Sequence, residues 1–96
     1  MSREEILRVL ARFREARKDE FGIVRLGVFG SVARGDAAAA SDVDIVVELA
    51  RPDLLTLVAI KQELEELLGC SVDIVRYRDR MNPFLKHRIE QEAVYV

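Results

Sequence analysis

The chain has 96 residues, half of them hydrophobic and a third charged, with a net charge of −2 and one cysteine. That length supports a single domain over 1–96, burying about 60–70% of its unfolded surface and leaving little room for a second substrate-binding lobe. The apolar runs fall well short of the roughly 20 residues of a membrane span, the lone Cys70 excludes an internal disulfide, and the charge balance lacks the basicity of a dedicated nucleic-acid binder, so direct nucleic-acid binding is not expected. The first residues, Met1-Ser2-Arg3-Glu4-Glu5, read as a helix start rather than a secretory signal. Together with the unpaired cysteine they fit a cytoplasmic location.

In chain order, Ser2 and Glu5 form a capping box for a first helix over about 2–20. Ile6, Val9, Leu10, Phe13 and Ala16 recur at helical spacing along it and give one buried stripe. Gly22 ends that helix, and Val24 to Phe29 is a strand, apolar apart from Arg25 and Gly27. Ser31 to Arg34 starts a short helix, and Gly35-Asp36 turns out of it. A second strand over 42–49 alternates with period two: Val43, Ile45 and Val47 face the core, and Asp42, Asp44, Val46 and Glu48 face the other way. Arg51-Pro52-Asp53 stops this strand and caps a third helix. Leu54, Leu57, Val58, Leu64, Leu67 and Leu68 mark the apolar side of that helix, with Lys61 as the polar exception and Gly69 as the C-cap. A third strand over 71–77 carries Asp73 on the face of Val75. Asn82-Pro83 opens a last helix, and residues 93–96 form a short edge strand. The expected fold class is α/β (α+β): a small mixed sheet with helices packed mainly on one face and the other face partly open.

The charges are segregated. Residues 36–73 hold nine acids against Arg51 and Lys61, whereas 76–88 hold Arg76, Arg78, Arg80, Lys86 and Arg88 against Asp79 alone. An acidic middle suits cations, and a basic segment after the third strand suits phosphate or an acidic partner; solvated faces account for either equally well. The more specific signal is joint. Gly30-Ser31 closes one strand, Asp42-x-Asp44 heads the next ten residues later, and Asp73 stands alone in the third. Residues i and i+2 of a strand share a face, so the two aspartates project together. Clustered carboxylates repel one another unless cations lie between them. Mg²⁺ takes one or two carboxylates and fills its remaining positions with water and phosphate oxygens. Two ions about 3.5–4 Å apart would clamp an in-line displacement at phosphorus, and Asp73 sits where a base for the attacking hydroxyl is needed. At the Gly30-Ser31 turn, glycine lets a phosphate approach the backbone, Ser31 adds a hydroxyl donor, and N–H groups point toward an anion.

Gly30-Ser31-x10-Asp42-x-Asp44 resembles the signature of the DNA polymerase β-like nucleotidyltransferase superfamily. Gly30-Ser31-x-Ala33-Arg34-Gly35-Asp36 followed by Ser41-Asp42-x-Asp44-Ile45 is similar to its minimal nucleotidyltransferase (MNT) branch, and the similarity extends over nearly the whole chain. The resemblance implies the nucleotidyltransferase fold and transfer of a nucleoside monophosphate, AMP from ATP. It implies Asp42, Asp44 and Asp73 as catalytic metal ligands, Gly30 and Ser31 as the triphosphate holders, and two Mg²⁺ ions for which Mn²⁺ can substitute. Members of this branch are often antitoxins paired with a HEPN-domain toxin, so the resemblance further implies a HEPN-type partner whose tyrosine accepts the adenylyl group.

Other residues have more local readings. Arg34 can touch a phosphate or pair with Asp36 or another acid to fix its loop. Gly35 supplies a left-handed turn, Ser41 caps or braces Asp42, and Asp36 is a turn residue or a fourth acid. His87, between Lys86 and Arg88, reads as a surface or partner contact, Cys70 as a buried thiol, and Tyr77 and Tyr95 as packing residues. Two functional alternatives stay open: a non-catalytic module that neutralises a partner by covering it, and a small-molecule nucleotidyltransferase, against which the short chain argues.

Overall fold

The computed structural model describes residues 1–35 and 42–96, which run α1 (Arg3–Phe21), β1 (Ile23–Phe29), α2 (Gly30–Ala33), β2 (Val43–Leu49), α3 (Leu54–Leu68), β3 (Val72–Arg76), α4 (Pro83–Glu92) and β4 (Val94–Tyr95). Asp36, the alanines at 37–40 and Ser41, expected to turn the chain and to brace Asp42, lie outside the described residues. Each long helix starts where a side chain satisfies its orphan N–H groups. The Ser2 hydroxyl accepts from the Glu5 N–H and the Glu5 carboxylate accepts from the Ser2 N–H, both at 3.2 Å. Asp53 accepts from the Leu55 N–H at 2.9 Å. Asn82 accepts from Phe84 and Leu85, at 2.9 and 3.2 Å, with Pro83 in the first helical position. Gly22 and Gly69 close α1 and α3.

The sheet order is β3-β2-β1-β4. β1 is antiparallel to β2 and to β4, and β2 is parallel to β3. The fold is thus the expected mixed sheet. α1 and α3 cover one face, where Ile6, Leu10 and Phe13 meet Ile60, Leu64 and Leu68 over Val43, Ile45 and Val47. The opposite face is crossed by the shorter α4, whose buried Ile89 packs with Phe29 and Val46. Val46 belongs to the same side of β2 as Asp44, so that face is sealed at its centre and open toward the end where the acids lie.

Two sequence readings shift. The sheet-facing stripe of α3 runs through Leu57, Ile60, Leu64 and Leu68, while Leu54, Val58 and Leu67 are exposed. α3 carries leucines on several sides, so spacing alone left its rotation ambiguous. Cys70 is exposed rather than buried; it follows the Gly69 cap in the bend that leads into β3. Tyr77 and Tyr95 do pack: the Arg25 guanidinium lies 5.0 and 4.8 Å from their ring centres, and the Tyr77 hydroxyl donates to Glu90 at 3.2 Å. No helix among the described residues is long and apolar enough to cross a membrane.

β3 lies at an edge of the sheet, and α3 covers its exposed start. The Lys61 ammonium donates to the Val72 carbonyl at 2.6 Å, and Glu65 Oε2 accepts from the Val72 N–H at 3.0 Å and from Lys61 at 3.1 Å. This stitch satisfies backbone groups that an edge strand would leave open and holds the strand that carries Asp73. The Val72 N–H, then Lys61, hold the Glu65 carboxyl below its ordinary range. A carboxyl lowered on folding stabilises above its unfolded pKa and loses that contribution as pH falls through the folded value. Glu65→Gln is therefore expected to lower Tm by a small amount at neutral pH, since the group is accessible to solvent. Melting curves taken between neutrality and pH 3 should show parent and variant converging in acid; a gap that persists unchanged at pH 3 would contradict the assignment.

Candidate active site

The first acid pair is set by strand register. In the parallel ladder Asp44 lies opposite Asp73, one strand spacing away, and Asp42 directly precedes β2. Across the other ladder Asp44 lies opposite Phe29, the last residue of β1. The chain then turns sharply at Gly30, which has φ of 72° and is buried. A side chain there is disfavoured for two reasons. The positive φ disfavours any L residue, and a Cβ would overlap the Asp44 carboxylate oxygen Oδ2. The Gly30 backbone and the Asp44 side chain are thus in direct opposition. Ser31, half-buried, follows at once in α2, and Gly35 leaves that turn of helix with φ of 79°, as expected.

Electrostatically the acids act on one another. Desolvation first, and then the neighbouring Asp73, raise the Asp44 carboxyl above its ordinary range; Asp42 adds to this, while Arg88 and Arg34 oppose it. Gly30, Ser31, Asp42, Asp44 and Asp73 all lie at one end of the sheet. They are not drawn into a closed shell. Asp42 and Asp73 are exposed and Asp44 half-buried, and no three His, Cys, Asp or Glu side chains among the described residues converge closely enough to hold a metal. The donor set nevertheless suits a hard cation, because it is all carboxylate and because like charges already strain Asp44.

Glu92 escaped the sequence reading, and Arg88 was read only as one charge of the basic segment. Glu92, at the end of α4, accepts from the Gly30 N–H at 3.1 Å through Oε1. The same oxygen takes an ion pair from Arg34 at 3.1 Å and one from Arg88 at 3.7 Å. Arg34 thus pairs with an acid, Glu92, as one of its two readings had it. Arg88 also lies over the Phe29 ring at 5.8 Å. The i, i+4 spacing of Arg88 and Glu92 was visible along the helix; nothing local connected it to Gly30, 62 residues away. Elsewhere in the basic segment Arg78 donates to the Arg80 carbonyl and Lys86 to the Asp79 carbonyl, and His87 is exposed.

Comparison with known proteins gives the family and the fold. Residues 10–96 match the family model described as nucleotidyltransferase domain. The protein adenylyltransferase MntA of Thermococcus cleftensis is 37% identical over 94 residues, which are 97% of this chain and 94% of that protein. A solved structure described as a candidate minimal nucleotidyltransferase is 39% identical and superposes with a TM-score of 0.76, covering 98% of this chain and 95% of the other. A chain from the structure of tri-AMPylated Shewanella oneidensis HEPN toxin in complex with MNT antitoxin shares the fold at 21% identity, with a TM-score of 0.63 over 97% of this chain and 66% of that one.

Proposed function

This chain belongs to the nucleotidyltransferase domain family, and from that premise we propose that it is a cytoplasmic, Mg²⁺-dependent protein adenylyltransferase, acting as a one-domain catalytic unit over residues 1–96. It transfers AMP from ATP to a tyrosine hydroxyl of a cognate HEPN-type toxin and so serves as antitoxin. The observation that carries the reading is the register pair Asp44–Asp73 set against the buried Gly30 turn. The relative named as a protein adenylyltransferase supports the reaction. The toxin–antitoxin complex of the same fold supports the partner.

In this reading Asp42, Asp44 and Asp73 would hold Mg²⁺, which would supply charge neutralisation for the triphosphate and a lowered pKa for the acceptor hydroxyl. Gly30 and Ser31 receive the phosphates at the end of β1. Asp73 takes the proton of the acceptor hydroxyl as its oxygen attacks the α-phosphorus; the bond to the bridging oxygen breaks and pyrophosphate leaves. Asp44, pressed against the Gly30 backbone, fixes the distance between the acid side and the phosphate side of the site.

Nucleotide binding is expected to depend on a divalent cation, because a triphosphate meeting three uncompensated carboxylates is repelled. Calorimetric titration with ATP in Mg²⁺ or Mn²⁺, repeated in EDTA, should lose its binding heat in the chelator. Equal affinity in both conditions would refute the metal assignment.

A further inference from the structure

One oxygen in this protein has an unusual set of neighbours. Glu92 Oε1 receives the Gly30 N–H at 3.1 Å, the Arg34 guanidinium at 3.1 Å and the Arg88 guanidinium at 3.7 Å. A backbone N–H at a glycine turn flanked by two guanidinium groups is the donor set that suits a phosphate oxygen. The Glu92 side chain is held there with about 23% of its surface exposed. It comes from the last residue of α4, which also carries Arg88, while Gly30 and Arg34 bracket α2, so two segments far apart in sequence meet on this carboxylate.

We propose that Glu92 is a resident anion that occupies the position of a triphosphate oxygen, and that nucleotide binding displaces it. This inference rests on the nucleotidyltransferase reading above and adds a competitor built into the chain. The Gly30 N–H cannot serve Glu92 and a phosphate at once, since it is a single donor. With Glu92 in place, Arg34 and Arg88 are paired with its carboxylate. With Glu92 displaced, both guanidinium groups turn from the carboxylate to the polyphosphate. The apparent affinity for nucleotide is then the intrinsic affinity reduced by the fraction of molecules in which Glu92 is out of place. Charge-neutral Glu92→Gln keeps the size of the side chain and an oxygen for the Gly30 N–H, but weakens its hold on the two arginines.

The test is calorimetric titration of the parent chain and Glu92→Gln with Mg²⁺–tripolyphosphate and with Mg²⁺–ATP. Both ligands should bind the variant more tightly, by about fivefold or more, the lower range of ordinary coupling between linked sites. Equal or weaker binding to Glu92→Gln, with binding to the parent intact, would overturn the proposal and make Glu92 a brace for the Gly30 turn. If neither ligand binds either protein, the nucleotidyltransferase reading of the site fails and the proposal falls with it. A measurement on the parent alone guards against a variant that folds poorly. The carboxyl carbon resonance of Glu92 should move toward that of a solvated glutamate when Mg²⁺–tripolyphosphate saturates the site, and an unmoved resonance at saturation would overturn displacement.

Discussion

Asp44→Asn, alone or with Asp42→Asn, is expected to reduce adenylyl transfer by at least about a hundredfold, since changes merely to the partners of metal ligands commonly cost 10–100-fold. The fold should survive. Asp44 is half-buried and sits beside Asp73 in the register, so its charge is a liability in the metal-free protein: burial and Asp73 both act against its ionised form. Removing that charge while keeping the side-chain shape relieves repulsion, and the metal-free variant should melt at the same temperature as the parent or slightly above it. Melting curves beside a transfer assay check both halves. A large fall in Tm with transfer retained would mean that the carboxylate is a structural element.

The second large effect is expected at Gly30. Gly30→Ala should be nearly as damaging as Gly30→Val, because the first carbon of any side chain already meets the Asp44 carboxylate and the backbone sits at φ of 72°. Left-handed backbone alone costs an L residue about 1–2 kcal/mol, and the overlap adds to it. For a domain of this size each kcal/mol corresponds to about 4–8 °C in Tm, so a drop of roughly ten degrees or more is expected, together with loss of nucleotide binding. The cause is checkable by a double-mutant cycle. In an Asp44→Ala background the overlap is gone, and Gly30→Ala should cost only the backbone strain. Equal costs in the two backgrounds would show that the two residues do not oppose each other. Ser31→Ala, by contrast, removes one hydrogen bond to a charged group and should weaken triphosphate binding by about 1.5–3 kcal/mol without disturbing the fold.

The contrast between these two positions shows which features a sequence exposes. The acid side of the site was legible because strand periodicity is strict: once residues 42–49 read as a strand, Asp42 and Asp44 had to share a face, and Val43, Ile45 and Val47 had to enter the core. Caps at Ser2, Asp53 and Asn82 were legible for a similar reason, since each is a contact within three residues. The parallel pairing that sets Asp73 against Asp44 was not legible, because register between strands separated by a helix depends on packing of the whole domain. Nor was the identity of the anion at the Gly30 turn. The turn was read as an anion acceptor, but the anion it holds in the described structure is Glu92, delivered by a helix that crosses the opposite face of the sheet. The rotation of α3 failed for a third reason: with leucines on several sides, the helical period had no single minimum, and only contact with Val43, Ile45 and Val47 selected Ile60, Leu64 and Leu68.

The same logic bears on how the site is held. Glu65 and Lys61 fix the start of β3, Ile89 seals α4 over Phe29 and Val46, and Glu92 ties the end of α4 to Gly30. The acid side thus hangs on α3 and the Gly30 turn on α4, with β1 and β2 as the shared platform. Arg34 and Arg88 bring positive charge to the boundary between the two sides and partly offset the acids around Asp44.

Intact mass spectrometry of a co-purified HEPN-type partner, with and without Mg²⁺–ATP, tests transfer most directly. The parent chain should add one or more adenylyl groups, each about 329 Da by the stoichiometry of nucleotidyl transfer at phosphorus, and Asp42→Asn/Asp44→Asn should leave the partner's mass unchanged while still folding. An unmodified partner after incubation with the parent, or a double variant that silences the partner as fully as the parent does, would contradict catalysis and leave neutralisation by covering as the chain's mode of action.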